Sequence, residues 1–148
     1  MNDTKNLQGT YLLDSSAIAI ILIEKREDAL NLLRGRATIS LAYYELCNIL
    51  WKEAFLLKLV DTQVALKTAE HLAYILSEMH VENLSSPKDL YELMKVALET
   101  GLTAYDASYL YAAEKLSATL VTEDNKLSEA AKKRGVNVIS TNHYLNEK

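Results

Sequence analysis

Short apolar runs alternate along the chain with longer stretches in which apolar residues return every three or four positions. "TYLLD" predicts a first strand, introduced by Gly9, and a helix follows over about Ser16–Arg34 with a break inside it. "ATISL" (Ala37–Leu41) predicts a second strand and the stretch Tyr43–Leu59 a helix. From Thr62 to His80, Ala65, Ala69, Leu72, Leu76 and Met79 form one stripe of a third helix. "VENLS" is a short third strand, and helices follow over Pro87–Thr100 and Ala104–Leu116. "ATLVT" (Ala118–Thr122) is a strand, "KLSEAAKKR" a helix and "VNVIS" (Val136–Ser140) a closing strand. Strands that alternate with helices imply βαβ units, hence an α/β fold whose mostly parallel sheet is covered on both faces.

The punctuation agrees with these limits. Gly35, Gly101 and Gly135 each follow a helical pattern, as glycines just past a helix end do. Ser86, Pro87 and Asp89 read as an N-cap, a first-turn proline and a capping acid.

Composition narrows the class. The 148 residues suffice for one domain with a sizeable core, and 49% hydrophobic with 24% charged residues is ordinary for a globular chain. The apolar run "AIAIILI" is too short to span a bilayer, and the start "MNDTKNLQGT" lacks the basic and apolar regions of a secretory signal, so no membrane role is expected. Cys47 is alone, which rules out a disulfide framework and suits a cytoplasmic location. A net charge of −4 argues against binding nucleic acid through bulk electrostatics, although a local basic rim around an acidic metal site remains compatible with it.

Four acids fall where a parallel sheet builds its sites, beyond the carboxyl ends of the strands. Asp14 ends the first strand, Glu45 lies early in the helix after the second, Asp106 stands in the first turn of its helix, and Asp124 follows "ATLVT". Each also has a plain structural reading. Asp106 stands three after Thr103, as in a capping box; Glu45 suits a helix start; Asp124 can cap the helix that follows. Asp14 could cap the helix after it, but Ser15 and Ser16 stand there and are expected to supply that cap. Helical spacing separates the readings, because it puts Glu45 with Leu46 and Ile49, and Asp106 with Leu110 and Ala113, on core-facing sides. Four carboxylates brought together in this way cannot all stay ionised without a cation. All-oxygen ligation with open positions suits one or two Mg²⁺ or Mn²⁺ ions, which can activate water against a phosphodiester.

"YLLDSSAI", "LAYYELCNIL", "TAYDASYLYAAEKL" and "LVTEDNKL", closed by "AKKRGVNVI", resemble the PIN domain family, specifically its VapC toxin type, over about Tyr11–Ile139. The resemblance implies a three-layer α/β/α sandwich around a parallel sheet of about five strands. It implies a single nuclease domain over residues 1–148, with 1–9 a flexible tail. It also implies a metal-dependent endoribonuclease leaving 5′-phosphate and 3′-hydroxyl ends, often homodimeric and silenced by a cognate VapB-like antitoxin. Asp14, Glu45, Asp106 and Asp124 match the family's four acids, with Ser16 and Thr122 as supporting polar residues. Glu123 departs from the pattern and leaves open which acid of the pair faces the ion.

Other chemistry is not supported. His71, His80 and His143 lack zinc-ligand spacing, Cys47 reads as a small buried hydrophobe, and no glycine-rich phosphate loop exists. Tyr44 or Tyr105 could stack an RNA base, while most of the nine tyrosines belong to the core or a dimer surface. Lys126, Lys132, Lys133 and Arg134 offer the only basic track. A signalling receiver would need an acceptor Asp and a following lysine that "VENLS" and "VNVIS" do not supply. A haloacid-dehalogenase-like phosphatase would want an acid where Ser16 stands. A catalytically silent PIN-fold binding protein is the third alternative, and the intact acid set argues against it.

Overall fold

The computed structural model describes residues 10–147, so the tail expected at 1–9 lies outside the described residues. Five parallel strands run in the order β3-β2-β1-β4-β5: β1 Tyr11–Leu13, β2 Ala37–Ile39, β3 His80–Glu82, β4 Thr119–Val121 and β5 Val138–Ile139. Strand alternation divides the core into two layers. Leu12 and Leu120 bury one face against α5 (Pro87–Thr100), α6 (Ala104–Leu116) and α7 (Asn125–Lys133), touching Val96, Leu110, Leu127 and neighbours. Leu13 and Val121 point the other way, against α1 (Ser15–Lys25), α2 (Ala29–Leu33), α3 (Leu41–Trp51), α4 (Thr62–Ser77) and α8 (Thr141–Asn146). All four of these strand side chains are fully buried, each contributing roughly 1.5–3 kcal/mol. The result is the expected three-layer α/β/α sandwich with an all-parallel sheet.

Most limits agree with the sequence pattern, and α5 and α6 do so to the residue. The first helix does break: α1 ends at Lys25, a short 3₁₀ turn spans Arg26–Asp28, and α2 completes the segment. The long second helix gives way after Trp51 to a π-helical turn over Lys52–Leu56. Strand ends differ more. The second strand stops at Ile39 because Ser40 already takes helical dihedrals, φ −60° and ψ −24°, and Leu41 opens α3, although the Ser40 N–H still donates to the Glu82 carbonyl at 3.1 Å. His80, expected at a helix end, begins β3, its N–H donating to the Arg36 carbonyl at 2.8 Å. Ser140, expected in the closing strand, is the N-cap of α8, a helix the apolar pattern did not predict, because its six residues bury only Thr141 and Tyr144.

Two devices aim the elements that carry acids. Ser86 and Asp89 form the complete expected capping box, with Pro87 at the start of α5. Gly101 ends that helix with φ 77°, a left-handed conformation natural to glycine, and so turns the chain into α6 and Asp106. Gly35 and Gly135 also take positive φ, as expected of them.

Candidate functional site

The direction of winding reverses at β1. The chain proceeds from β1 outward to β2 and β3, then returns to lay β4 on the other side of β1. Such a switch point leaves a crevice beyond the strand ends, and all four acids lie along it. Asp14 leaves β1 with its N–H donating to the Val121 carbonyl at 3.2 Å, which brings it beside Thr122.

Asp14 is only 5% exposed and is held by neutral donors. Ser16 Oγ donates to its Oδ1 at 2.6 Å, the Ala17 N–H to the same oxygen at 2.9 Å, and Thr122 Oγ1 to Oδ2. Asp14 is therefore itself the N-cap of α1, which corrects the expectation that Ser15 or Ser16 would be. Burial pushes its carboxyl upward despite these hydrogen bonds. Thr122 also accepts from the Asp124 N–H at 3.0 Å, so one hydroxyl links the ends of β1 and β4. Asp124 caps α7 through the Leu127 N–H at 2.9 Å, as its structural reading predicts, while still facing the crevice: its charge is one of those that raise Asp106.

Glu45 stands in the second turn of α3, half-buried, and reaches across the crevice. Ser15 Oγ donates to its Oε1 at 3.0 Å and Tyr109 Oη donates to the same oxygen at 2.7 Å. Burial, followed by the nearby Glu45 charge, drives the Tyr109 hydroxyl far above the ordinary phenol range, so it stays protonated as a donor.

Asp106 differs from the other three. Thr103 Oγ1 caps α6 by accepting the Asp106 N–H at 3.2 Å, but the Asp106 side chain does not return the bond, so the predicted box is half made. Its carboxylate meets no hydrogen bond or ion pair among the described residues. Burial, then the charges of Asp124, Glu45 and Asp14, push its pKa up to about 6. The structure thus brings Asp14, Glu45, Asp106 and Asp124 together. Glu123 is not among them: its Oε2 accepts the Thr141 N–H at 2.7 Å, at the start of α8.

No lysine or arginine pairs with any of the four acids among the described residues. Within that same span no three acid, His or Cys side chains close into a ready-made metal cage. The acids line an open edge. An open, all-oxygen edge fits Mg²⁺ or Mn²⁺, which is typically held by one or two carboxylates while water or substrate fills the remaining positions.

Two residues that matter here were not singled out by spacing. Ser15 reads as a cap, and Tyr109 is one of several tyrosines near the site, most of which read as core or dimer surface; it is 1% exposed, and its hydroxyl donates to Glu45. Cys47, expected to be buried, is exposed. Of the basic track, Arg134 is engaged by Glu99 at 2.9 Å and Glu114 at 3.2 Å, which leaves Lys126, Lys132 and Lys133. Tyr44 and Tyr105 are largely exposed.

A doubly covered parallel sheet with an acidic edge at its switch point defines a class, and residues 11–133 match the family model described as PIN domain. The chain belongs to the PIN domain family. Its curated relatives place it with the VapC type: it is 40% identical over 137 residues to Exonuclease VapC9 of Pyrobaculum aerophilum, covering 88% of this chain and 91% of that one. Ribonuclease VapC3 of the same organism is 34% identical over 124 residues, covering 80% and 92%. Among solved structures, PAE2754 from Pyrobaculum aerophilum superposes with a TM-score of 0.76 at 32% identity, covering 94% of each chain. FitAcB from Neisseria gonorrhoeae shares the fold, with a TM-score of 0.64 at 21% identity over 90% and 99%. No helix among the described residues is long and apolar enough to cross a membrane.

Proposed function

We propose that the chain is a single-domain, Mg²⁺- or Mn²⁺-dependent endoribonuclease that cleaves single-stranded or loop RNA and acts as the toxin of a toxin–antitoxin pair. The observation that carries this reading is Asp106, an unpaired carboxylate raised to about 6 by burial and by three neighbouring acids. Such an arrangement is unfavourable for the chain alone and favourable once a divalent ion is bound. Asp14, Glu45, Asp106 and Asp124 would hold one or two ions, with Asp124 preferred over Glu123 because Glu123 is turned to α8. When bound, the metal supplies Lewis acidity and an ionised water for attack at phosphorus. Ser16 and Thr122 keep the Asp14 carboxylate oriented, and Lys126, Lys132 and Lys133 offer phosphate contacts beside the site.

Among the described residues no lysine or arginine pairs with the four acids, which supports a partner that supplies a cation: an arginine of an antitoxin would pair with these acids and block metal binding. Exposed apolar side chains on the outer face of α5, Leu90, Tyr91, Met94 and Leu98, support a homodimer. A cytoplasmic location belongs to the same reading.

One relative carries the name exonuclease, which favours a second reading in which cleavage begins at a strand end. Purified protein incubated with linear and circularised single-stranded RNA distinguishes them. Mn²⁺ or Mg²⁺ should support cleavage of both forms to 5′-phosphate products, EDTA should stop it, and Asp14→Asn should be folded but inactive. A circle left intact while the linear form shortens selects the exonuclease. Cleavage that persists in EDTA or in Asp14→Asn overturns the metal site.

A further inference from the structure

Glu45 has the longest and most flexible of the four acidic side chains, and left to itself it would sample many rotamers in the crevice. Two hydroxyls from separate elements converge on one of its oxygens: Tyr109 from α6 at 2.7 Å and Ser15 from the start of α1 at 3.0 Å, both to Oε1. Oε2 accepts no hydrogen bond among the described residues. The Tyr109 ring is locked in the core, so its hydroxyl is a fixed point rather than a mobile one. Ser15 follows Asp14 directly, so the residue that orients Glu45 is joined to the acid at the end of β1. Both donors are neutral. A lysine or arginine in their place would hold the carboxylate but cancel the charge that a cation needs, whereas a hydroxyl orients the anion and leaves its charge intact.

We infer that Tyr109 and Ser15 are positioning residues that clamp Oε1 of Glu45 and leave Oε2 as the oxygen that would be open to a divalent ion, an assignment that rests on the nuclease reading above. Removing an orienting partner of this kind typically costs roughly 10- to 100-fold in metal affinity or activity.

The test measures Mn²⁺ binding by calorimetry on the full chain, alongside kcat and KM for single-stranded RNA. Tyr109→Phe keeps the ring and its packing, Ser15→Ala removes the second donor, and Ser15→Thr restores a hydroxyl. Tyr111→Phe is the control, since it deletes a hydroxyl from the same helix that bonds Asp89 instead. Tyr109→Phe and Ser15→Ala should each weaken Mn²⁺ binding about 10- to 100-fold and lower kcat without raising KM for RNA. Ser15→Thr and Tyr111→Phe should bind Mn²⁺ as wild type does. Wild-type Mn²⁺ affinity in both Tyr109→Phe and Ser15→Ala overturns the inference and leaves the nuclease reading standing. A wild-type chain that takes up no Mn²⁺ at millimolar concentration overturns both.

Discussion

Two aspartates occupy the same local motif and do opposite things. Ser86-x-x-Asp89 and Thr103-x-x-Asp106 both read as capping boxes in the sequence, yet only Asp89 closes its box. Asp106 is turned to the crevice, and nothing within its own four residues signals this; the spacing to Leu110 and Ala113 does, because it sets which way the helix faces. The four acids were therefore legible from strand ends and helical spacing. Their holders were not, since a serine beside a cap and a tyrosine in a core stripe acquire their roles only through contacts 30 and 64 residues away in sequence. The difference between the two aspartates is measurable. An unfolded Asp106 titrates near 3.8 and the folded one near 6, so between these values the native state holds more protons than the unfolded state. Metal-free stability attributable to Asp106 should consequently fall as the pH rises from about 4 to about 6 and remain low above that. Asp106→Asn should melt higher than wild type in EDTA at pH about 7, with the advantage vanishing near pH about 4. A variant that melts lower at neutral pH would mean that the acid serves as a helix-terminus charge, worth up to roughly 1 kcal/mol.

At the level of elements, the best-predicted helices were those with strong boundary signals. Pro87 and Gly101 enclose α5, and Thr103 opens α6. The poorly predicted ones were short or depended on sheet pairing: β3 is defined by its bonds to β2 rather than by its own composition, and α8 has only a serine cap to announce it. Asp89 shows how one capping acid can tie several elements together. Tyr111 and Lys115 on α6 reach it at 2.8 and 3.1 Å, and Lys115 also pairs with Glu82 at the end of β3 at 3.0 Å. The Tyr111 hydroxyl and then the Lys115 ammonium hold the Asp89 carboxyl well below the usual carboxylate range. A depressed folded pKa contributes stability that is fully present above the unfolded value of 3.8 and is lost as the pH falls below it. Asp89→Asn should lower the urea midpoint at neutral pH, and the deficit should shrink in acid, the reverse of the Asp106 trend. Mn²⁺ affinity should be unchanged, because this cluster does not touch the crevice. An equal deficit at pH about 3 and pH about 7 would show that the Asp89 charge contributes nothing beyond its cap.

For the whole molecule, alternation of short apolar runs with helical stripes was enough to give the layer architecture, because parallel βαβ units admit few other arrangements. Strand order was not written in the pattern. It matters most, since placing β4 next to β1 is what brings Asp124 and Thr122 against Asp14, joining residues 108 apart in sequence by one hydrogen bond. A site assembled from the ends of β1 and β4, the second turn of α3 and the start of α6 binds its ion only in the folded chain, so metal binding must stabilise the entire fold by mass action. At Mn²⁺ concentrations about 100-fold above the dissociation constant the gain is about 2.7 kcal/mol. For a domain of this size, each kcal/mol raises Tm by roughly 2–4 °C, so a shift of about 5–10 °C is expected at that concentration. Asp106→Asn, which starts higher without metal, should gain far less, and the two melting curves should converge or cross as Mn²⁺ is added. Ca²⁺ and Mg²⁺ titrations in parallel would separate general charge neutralisation from a preference in ion size. Parallel curves for wild type and variant across the Mn²⁺ series would mean that the ion binds somewhere other than this crevice, and the four acids would then need a different explanation.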